Sequence, residues 1–272
     1  MNYIAIAKES IQITRDMQYI AEGERILLPQ EDYEDVVVYS PKDGAELLDW
    51  DISKMFGKEM CRIRIVNEDS FQAGRRFENP LVMNFANAHN PGGGFLLGST
   101  AQEEALCRCS TLYKSLTSAQ AGQMYRYNNT HISSVESDYM LLSRKVCVFR
   151  DERCEFLKEP VMMSVITLPA PNRYGAAMMA SHKKIEETML RRIRIMLRIA
   201  AKNGYRNLVL GAWGCGAFGN NPKDVAEYFK TVLVTEEYGR CFEEVCFAIY
   251  GKPDGRNISA FRNVFERIYG SL

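Results

Sequence analysis

Three consecutive glycines, followed after seven residues by a glutamine and two glutamates, constrain this chain more than any other feature. An apolar run at residues 81–85 predicts a strand, and a polar turn joins it to the glycines. Apolar residues then recur at helical spacing over residues 105–113, which places the glutamates in the first turn of a helix. The residues of the pattern are Gly92, Gly93, Gly94, Gln102, Glu103 and Glu104.

Consecutive glycines cost conformational entropy and are kept where the backbone needs a positive φ or must approach another group closely. Backbone N–H groups in such a loop, beside a helix N-terminus, can bind a phosphate or pyrophosphate. The alternative is an ordinary strand-to-helix turn whose acidic residues complement the helix dipole. The glycines alone do not choose between these two interpretations.

A second glycine-rich loop, residues 214–219, follows another apolar run at residues 208–212. Strands that alternate with helices along the chain predict an α/β domain with a largely parallel sheet. Such sheets bind ligands beyond the carboxyl ends of their strands. We therefore expect the two glycine loops to meet at one cleft.

These motifs carry a resemblance to a known family. The GGG, seven residues, QEE pattern resembles the signature of poly(ADP-ribose) glycohydrolases, which are macrodomain proteins, and residues 84–87, NFAN, are similar to the Asn-Ala-Ala-Asn element of macrodomains. The segments PAPN, residues 169–172, and GAWGCGAFGN, residues 211–220, resemble the bacterial-type branch. The resemblance implies a macrodomain-like three-layer α/β/α sandwich with a mixed, largely parallel central sheet and an N-terminal helical extension.

The resemblance also implies roles for individual residues. Glycosidic cleavage needs a proton for the departing oxygen and stabilisation of an oxocarbenium-like centre. By resemblance, Glu104 donates that proton and then activates water, while Glu103 binds ribose hydroxyls and Gln102 positions the turn. Repulsion between neighbouring carboxylates is expected to raise the pKa of one of them and keep it protonated.

The expected substrate-binding residues come from both loops, and no metal or other cofactor is expected. Phe218 is interpreted as a platform for the ribose beside the scissile bond, with a loop anchor as the alternative. The complete expected set is Asn84, Asn87, Gly92, Gly93, Gly94, Gln102, Gly214, Cys215, Gly216, Ala217, Phe218 and Gly219. The substrate implied is poly(ADP-ribose) or an ADP-ribosylated protein, and the product is ADP-ribose.

Three alternatives stay open at this point. Residues 214–219 also fit the dinucleotide fingerprint G-x-G-x-x-G, but a helix start at Asn221-Pro222, after the loop, disfavours a dehydrogenase. A macrodomain can bind ADP-ribose without cutting it, or hydrolyse mono-ADP-ribosylated protein or nucleic acid. The animal enzymes carry an acidic residue where this chain has Asn84. Removal of terminal units is therefore the expected mode, and cleavage at internal bonds is not inferred from the resemblance.

Composition restricts the partners and the compartment. Thirty-four basic and thirty-four acidic residues cancel among 272, so neither general nucleic-acid binding nor membrane binding is expected. The eight cysteines form no Cys-x-x-Cys pair and the three histidines are scattered, which disfavours a zinc site and favours buried free thiols. With no signal-peptide pattern at the N-terminus, a cytoplasmic protein is expected.

The remaining chain is interpreted as follows. Residues 1–60 are expected to be an extension packed on the main fold, with a helix over 3–21, a strand at 36–39 and a turn at 40–44; residues 61–272 are expected to form one catalytic domain. Residues 114–140 read as a long loop with partial helix. A helix at 183–202 carries a basic face, which is interpreted as solvated.

Overall fold

The structure is a computed structural model, and it describes residues 1–269 of the chain. The described helices are α1 Tyr3–Asp16, α2 Pro41–Asp49, α3 Ser70–Gly74, α4 Gln102–Cys109, α5 Leu112–Leu116, α6 Gly122–Thr130, α7 His182–Lys202, α8 Pro222–Lys230 and α9 Arg256–Tyr269. The described strands are β1 Gln18–Ala21, β2 Glu24–Leu27, β3 Val36–Tyr39, β4 Arg62–Val66, β5 Leu81–Ala86, β6 Met140–Arg150, β7 Phe156–Pro169, β8 Asn207–Leu210 and β9 Glu244–Ala248.

Among the described residues, seven strands form one mixed sheet in the order β3-β6-β7-β5-β8-β9-β4. Neighbouring strands from β7 to β4 are parallel, whereas β6 pairs antiparallel with both β7 and β3. The carboxyl ends of the five parallel strands therefore share one edge of the sheet. The predicted mixed, largely parallel sheet is confirmed.

Both faces of the sheet are covered by helices, which gives three layers. Side chains of β5 alternate between the faces: Leu81 and Met83 lie in a core with α7, α8 and α9, and Val82 lies in a core with α4, α5 and α6. All three are fully buried. Burial on both faces explains why the central strand reads as a continuous apolar run.

The N-terminal segment differs from its prediction in two places. The first helix ends at Asp16, where Met17 has a φ of 56°, and β1 and β2 then form a hairpin whose Tyr19 packs against Phe149 and Phe156. The predicted turn at 40–44 is instead the start of α2, because Ser40 caps the helix and Pro41 stands at its first position.

The first sixty residues also contribute to the central sheet. Strand β3 pairs with β6 at its edge, in a register that sets Val36 opposite Ser143. A domain boundary at residue 60 stays a prediction.

Residues 114–140 contain the end of α5 and all of α6, with irregular segments between and after them, so the predicted long loop with partial helix is confirmed. Tyr125 is buried in the core and Tyr127 stacks on His131, so these aromatic side chains pack the fold.

The basic face of α7 is only partly solvated. Arg198 is buried and donates to the carbonyl oxygen of Leu47, while Arg191 and Arg194 form ion pairs with Asp138 and Glu236. The interpretation of this face as solvated was wrong for these arginines.

Candidate active site

The second glycine loop and α4, the helix that follows the first glycine loop, line one cavity at the carboxyl ends of the parallel strands. The cavity has a volume of about 550 Å³, and its walls include Glu103 and Glu104 from α4 and Gly214, Gly216 and Phe218 from the loop after β8. Strands β5 and β8 are neighbours in the sheet, so their loops emerge side by side. Both loops leave the same edge of the sheet as expected, but only the second is part of the cavity lining among the described residues.

Glu104 presents one engaged and one unengaged carboxylate oxygen. Its Oε1 accepts a hydrogen bond from the Gly94 N–H at 2.9 Å. Its Oε2 is buried and has no hydrogen-bond partner among the described residues. Only 7% of the residue is exposed, in the wall of the cavity. An acid held on one oxygen and unengaged on the other is suited to proton transfer.

Glu103 is more deeply placed, with 3% of its surface exposed. Its Oε2 accepts from the Asn87 N–H at 2.8 Å, and its Oε1 accepts from the Asn84 amide at 3.2 Å. Burial raises the pKa of Glu103 to about 8, and the charge of Glu104 adds a smaller contribution in the same direction. Burial, rather than the expected repulsion between the carboxylates, is therefore the main cause of the raised pKa of Glu103.

The first glycine loop holds these carboxylates and does not form the cavity wall. A Cβ on Gly93, which has a φ of 57°, would lie 2.4 Å from Oε1 of Glu104. The Gly93 N–H donates to the Asn90 carbonyl at 3.0 Å, and the Gly94 N–H is taken by Glu104. Gly92, Gly93 and Gly94 are absent from the cavity lining among the described residues. The expectation that these glycines cradle a phosphate was wrong for the two engaged N–H groups.

The side chains of Asn84 and Gln102 hold neighbouring groups in place by hydrogen bonds. Asn84 is fully buried, and its amide donates to both Glu103 and Thr167. It lies behind Glu103 and cannot contact a ligand in the cavity, contrary to expectation. The side chain of Gln102 accepts from the Phe85 N–H and donates to the Met83 carbonyl, so it fixes the start of α4 to β5.

Asn87 lines the cavity at the end of β5, as expected of a ligand contact. Its Oδ1 accepts from the N–H groups of His89 and Asn90, which fixes the turn after the strand. Its own N–H binds Glu103. Asn87 thus couples the turn to the carboxylate.

The second glycine loop offers unengaged backbone donors. The N–H groups of Gly216, Ala217 and Phe218, all in the cavity wall, donate to no other described residue. Gly216 has open space where a Cβ would stand. Successive free N–H groups form an anion-binding concavity. This arrangement matches the diphosphate cradle expected here.

The other members of this loop fix its shape. The Asn220 amide donates to the carbonyls of Pro171 and Gly214 at 2.9 and 3.2 Å, tying the loop to the turn after β7. Gly219 lies under the ring of Tyr174. Cys215 is half-buried, and packs against the core beneath the loop rather than lining the cavity.

Sequence reasoning missed a further part of the cavity wall, which Glu68, Asp69 and Tyr250 line. Asp69 caps α3 through Oδ1, but its Oδ2 and the Oε2 of Glu68 are buried without a partner among the described residues. Burial raises the pKa of Asp69. These residues follow β4 and β9, so the carboxyl-end rule that located the glycine loops could have located them.

Within the described part of the chain, no helix combines the length and apolarity needed to cross a membrane. No cluster of three or more His, Cys, Asp or Glu side chains among residues 1–269 is arranged to hold a metal ion. The eight cysteines, all described, are free thiols, and most are buried.

Comparisons with known proteins agree with this geometry. Residues 2–151 match the family described as microbial-type PARG, catalytic domain, where PARG denotes poly(ADP-ribose) glycohydrolase. No curated protein matches the sequence significantly.

Solved structures of bacterial enzymes resemble the whole fold. The chain is 33% identical to poly(ADP-ribose) glycohydrolase from Thermomonospora curvata, with a TM-score of 0.88 over 97% of this chain and 99% of the other. The same enzyme bound to the inhibitor ADP-HPD gives a TM-score of 0.86 at 33% identity, with the same shares of both chains covered. The enzyme from Deinococcus radiodurans, in complex with ADP-ribose, is 35% identical, with a TM-score of 0.81 over 89% of this chain and 99% of the other. The chain therefore belongs to the microbial-type poly(ADP-ribose) glycohydrolase family.

Proposed function

We propose that this protein is a poly(ADP-ribose) glycohydrolase that hydrolyses the ribose–ribose O-glycosidic bond from chain ends and releases ADP-ribose. The observation that carries the proposal is Glu104, which lines the same cavity as three unengaged N–H groups of the second glycine loop and whose Oε2 has no hydrogen-bond partner among the described residues. The complexes of relatives with ADP-ribose and with ADP-HPD support the same ligand class.

The diphosphate binds the N–H groups of Gly216, Ala217 and Phe218, since successive amides in a loop favour an anion without any lysine. The distal ribose lies against Phe218, with Asn87 as a hydrogen-bonding partner. Glu68 and Asp69, which also line the cavity, offer acceptors for the adenine amine. A volume of about 550 Å³ lies in the range of single small-molecule sites, which favours one terminal unit over an internal segment.

Bond cleavage begins when Glu104 transfers its proton to the departing ribose oxygen, as the bond from that oxygen to the anomeric carbon breaks. The anomeric carbon develops positive charge, which the adjacent diphosphate stabilises. The ionised Glu104 then takes a proton from water, and the remaining hydroxyl adds to the anomeric carbon. Atoms balance, because one water is consumed and Glu104 returns to its starting form.

Glu103 has a different role from its neighbour. Successive helical residues point about 100° apart, so the two carboxylates cannot flank one bond as in ordinary glycosidases. Glu103 is held by Asn84 and Asn87 and orients the ribose through its hydroxyl groups. Asn84 fixes Glu103 from behind.

The test is an incubation of the protein with poly(ADP-ribose), with mono-ADP-ribosylated protein and with ADP-ribosylated DNA. Free ADP-ribose is measured by chromatography and the lengths of the remaining chains by gel electrophoresis. Chain-end cleavage predicts free ADP-ribose from the earliest time points, without short oligomers. Binding without release would indicate a reader module, and release from the mono-modified substrates alone would assign a different target.

A further inference from the structure

A tyrosine and an arginine stand beside the second glycine loop, outside the cavity. The Arg173 N–H donates to the Phe218 carbonyl at 2.9 Å, so the turn after β7 touches the proposed ribose platform directly. The ring of Tyr174 lies over Gly219, where a Cβ would come within 2.5 Å of its Cε2 atom. Phe218 is part of the cavity wall, whereas Tyr174 is not among its described lining residues. The pair therefore borders the cavity from the outside.

The turn that carries this pair is rigid. Asn172 accepts the Tyr174 N–H through its side chain at 3.1 Å, and its carbonyl accepts the N–H groups of Gly175 and Ala177. Asn220 anchors the preceding Pro171 carbonyl. The backbone is thus fixed on both sides of Arg173, and little ordering entropy remains to be lost when a ligand binds.

The two side chains are available for a ligand. Tyr174 is 77% exposed, which is unusual for an aromatic ring on a fixed turn. The half-buried Arg173 forms no ion pair or side-chain hydrogen bond with another described residue, and Tyr174 donates its hydroxyl to none. An exposed ring beside an unpaired guanidinium is the combination that binds a base and a phosphate.

We propose that Tyr174 and Arg173 bind the second nucleotide unit of the chain, on the leaving-group side of the scissile bond. This inference rests on the proposed function. The departing group is a hydroxyl of an adenosine ribose, so an adenine base follows the scissile oxygen within a few bonds. That base stacks on Tyr174, and the phosphates of the same unit lie against Arg173. The surface thus recognises a chain rather than a single ADP-ribose.

The experiment measures binding without turnover, in a protein that carries Glu104→Gln. Calorimetry gives the Kd of ADP-ribose and of a purified two-unit chain, with and without Tyr174→Ala. The two-unit ligand should bind the parent more tightly, and Tyr174→Ala should reduce this advantage by roughly 5- to 20-fold, as expected for one lost base stack. Tyr174→Phe should keep the advantage, and Arg173→Gln should weaken its dependence on salt.

Met178→Ala is the matched control, because Met178 is also exposed, at 69%, and lies in the same segment. It should leave the ratio of the two Kd values unchanged. An equal loss for both ligands in Tyr174→Ala would mean that the ring supports the glycine loop, and would overturn the inference. Equal affinity of the parent for one and two units would also overturn it. Failure of the parent to bind ADP-ribose at all would overturn the proposed function and this inference together.

Discussion

The Gly94 amide donates a hydrogen bond to Oε1 of Glu104 at 2.9 Å, and this contact leaves Oε2 as the oxygen without a partner among the described residues. The first glycine loop and α4 are therefore one structural unit. The first loop holds the carboxylate of Glu104, while the second loop contains the unengaged N–H groups that we propose as donors for the anion. The three glycines of the first loop therefore have a structural role, although they lie outside the cavity wall.

Replacement Glu104→Gln should reduce turnover of poly(ADP-ribose) by roughly three orders of magnitude or more, because both proton donation and water activation are lost. The glutamine oxygen can still accept from Gly94, so the loop and the affinity for ADP-ribose should persist. Release of ADP-ribose gives the rate, and calorimetry gives the Kd. Glu59→Gln, at an exposed position, is the matched control and should behave as wild type. Near-normal turnover of Glu104→Gln would show that Glu104 neither donates the proton nor activates water.

Gly93→Ala and Gly216→Ala should affect different properties of the protein. At Gly93 a Cβ would collide with Glu104, and the positive φ costs about 1–2 kcal/mol, so both stability and kcat should fall, kcat by roughly 100-fold. At Gly216 a Cβ meets open space, so the melting temperature should hold while the Kd for ADP-ribose rises by roughly tenfold. Thermal unfolding and calorimetry distinguish the two. Equal effects of both variants on stability would contradict this assignment of the loops.

The sequence was sufficient for the parts of the site that depend on local pattern. The apolar run of β5, the helix start at Gln102 and the cap at Asn221 are each encoded within a few residues, and all three are confirmed. The placement of both glycine loops at one edge followed from the parallel sheet, since β5 and β8 are neighbouring parallel strands.

Burial of individual polar groups could not be read from the sequence. Asn84 lies in a motif that suggests ligand contact, yet the strand alternation turns its side chain into the protein, toward Thr167. The engagement of Gly94 by Glu104 depends on how the loop folds back on α4, over a ten-residue separation. The turn at 40–44 was mistaken because Ser-Pro-Lys-Asp-Gly fits a turn and a capped helix start equally well.

Of the two half-buried thiols, Cys154 should react faster than Cys215. The neighbouring Cys109 thiol lowers the pKa of Cys154, and the charges of Arg108 and Arg150 act in the same direction against its burial. Burial raises the pKa of Cys215, the other half-buried thiol, to about 12. Limited alkylation with iodoacetamide near neutral pH, followed by peptide mass spectrometry, should label Cys154 at least roughly tenfold faster than Cys215. Similar rates at the two sites would show that the Cys109 contact does not persist in solution.

Glu103→Gln should change how stability depends on pH. Burial raises the pKa of Glu103 from 4.5 to about 8, so between these values the folded protein binds more protons than the unfolded chain. Stability from this group is therefore greatest at low pH and is lost as pH rises through about 8. Glutamine cannot ionise, so the variant should gain stability relative to wild type by at least about 1.4 kcal/mol between about pH 5 and about pH 9. Urea unfolding at both pH values measures the difference, and Glu59→Gln should show no comparable trend. A constant offset between Glu103→Gln and wild type across this range would mean that Glu103 is already ionised in the folded protein at the lower pH.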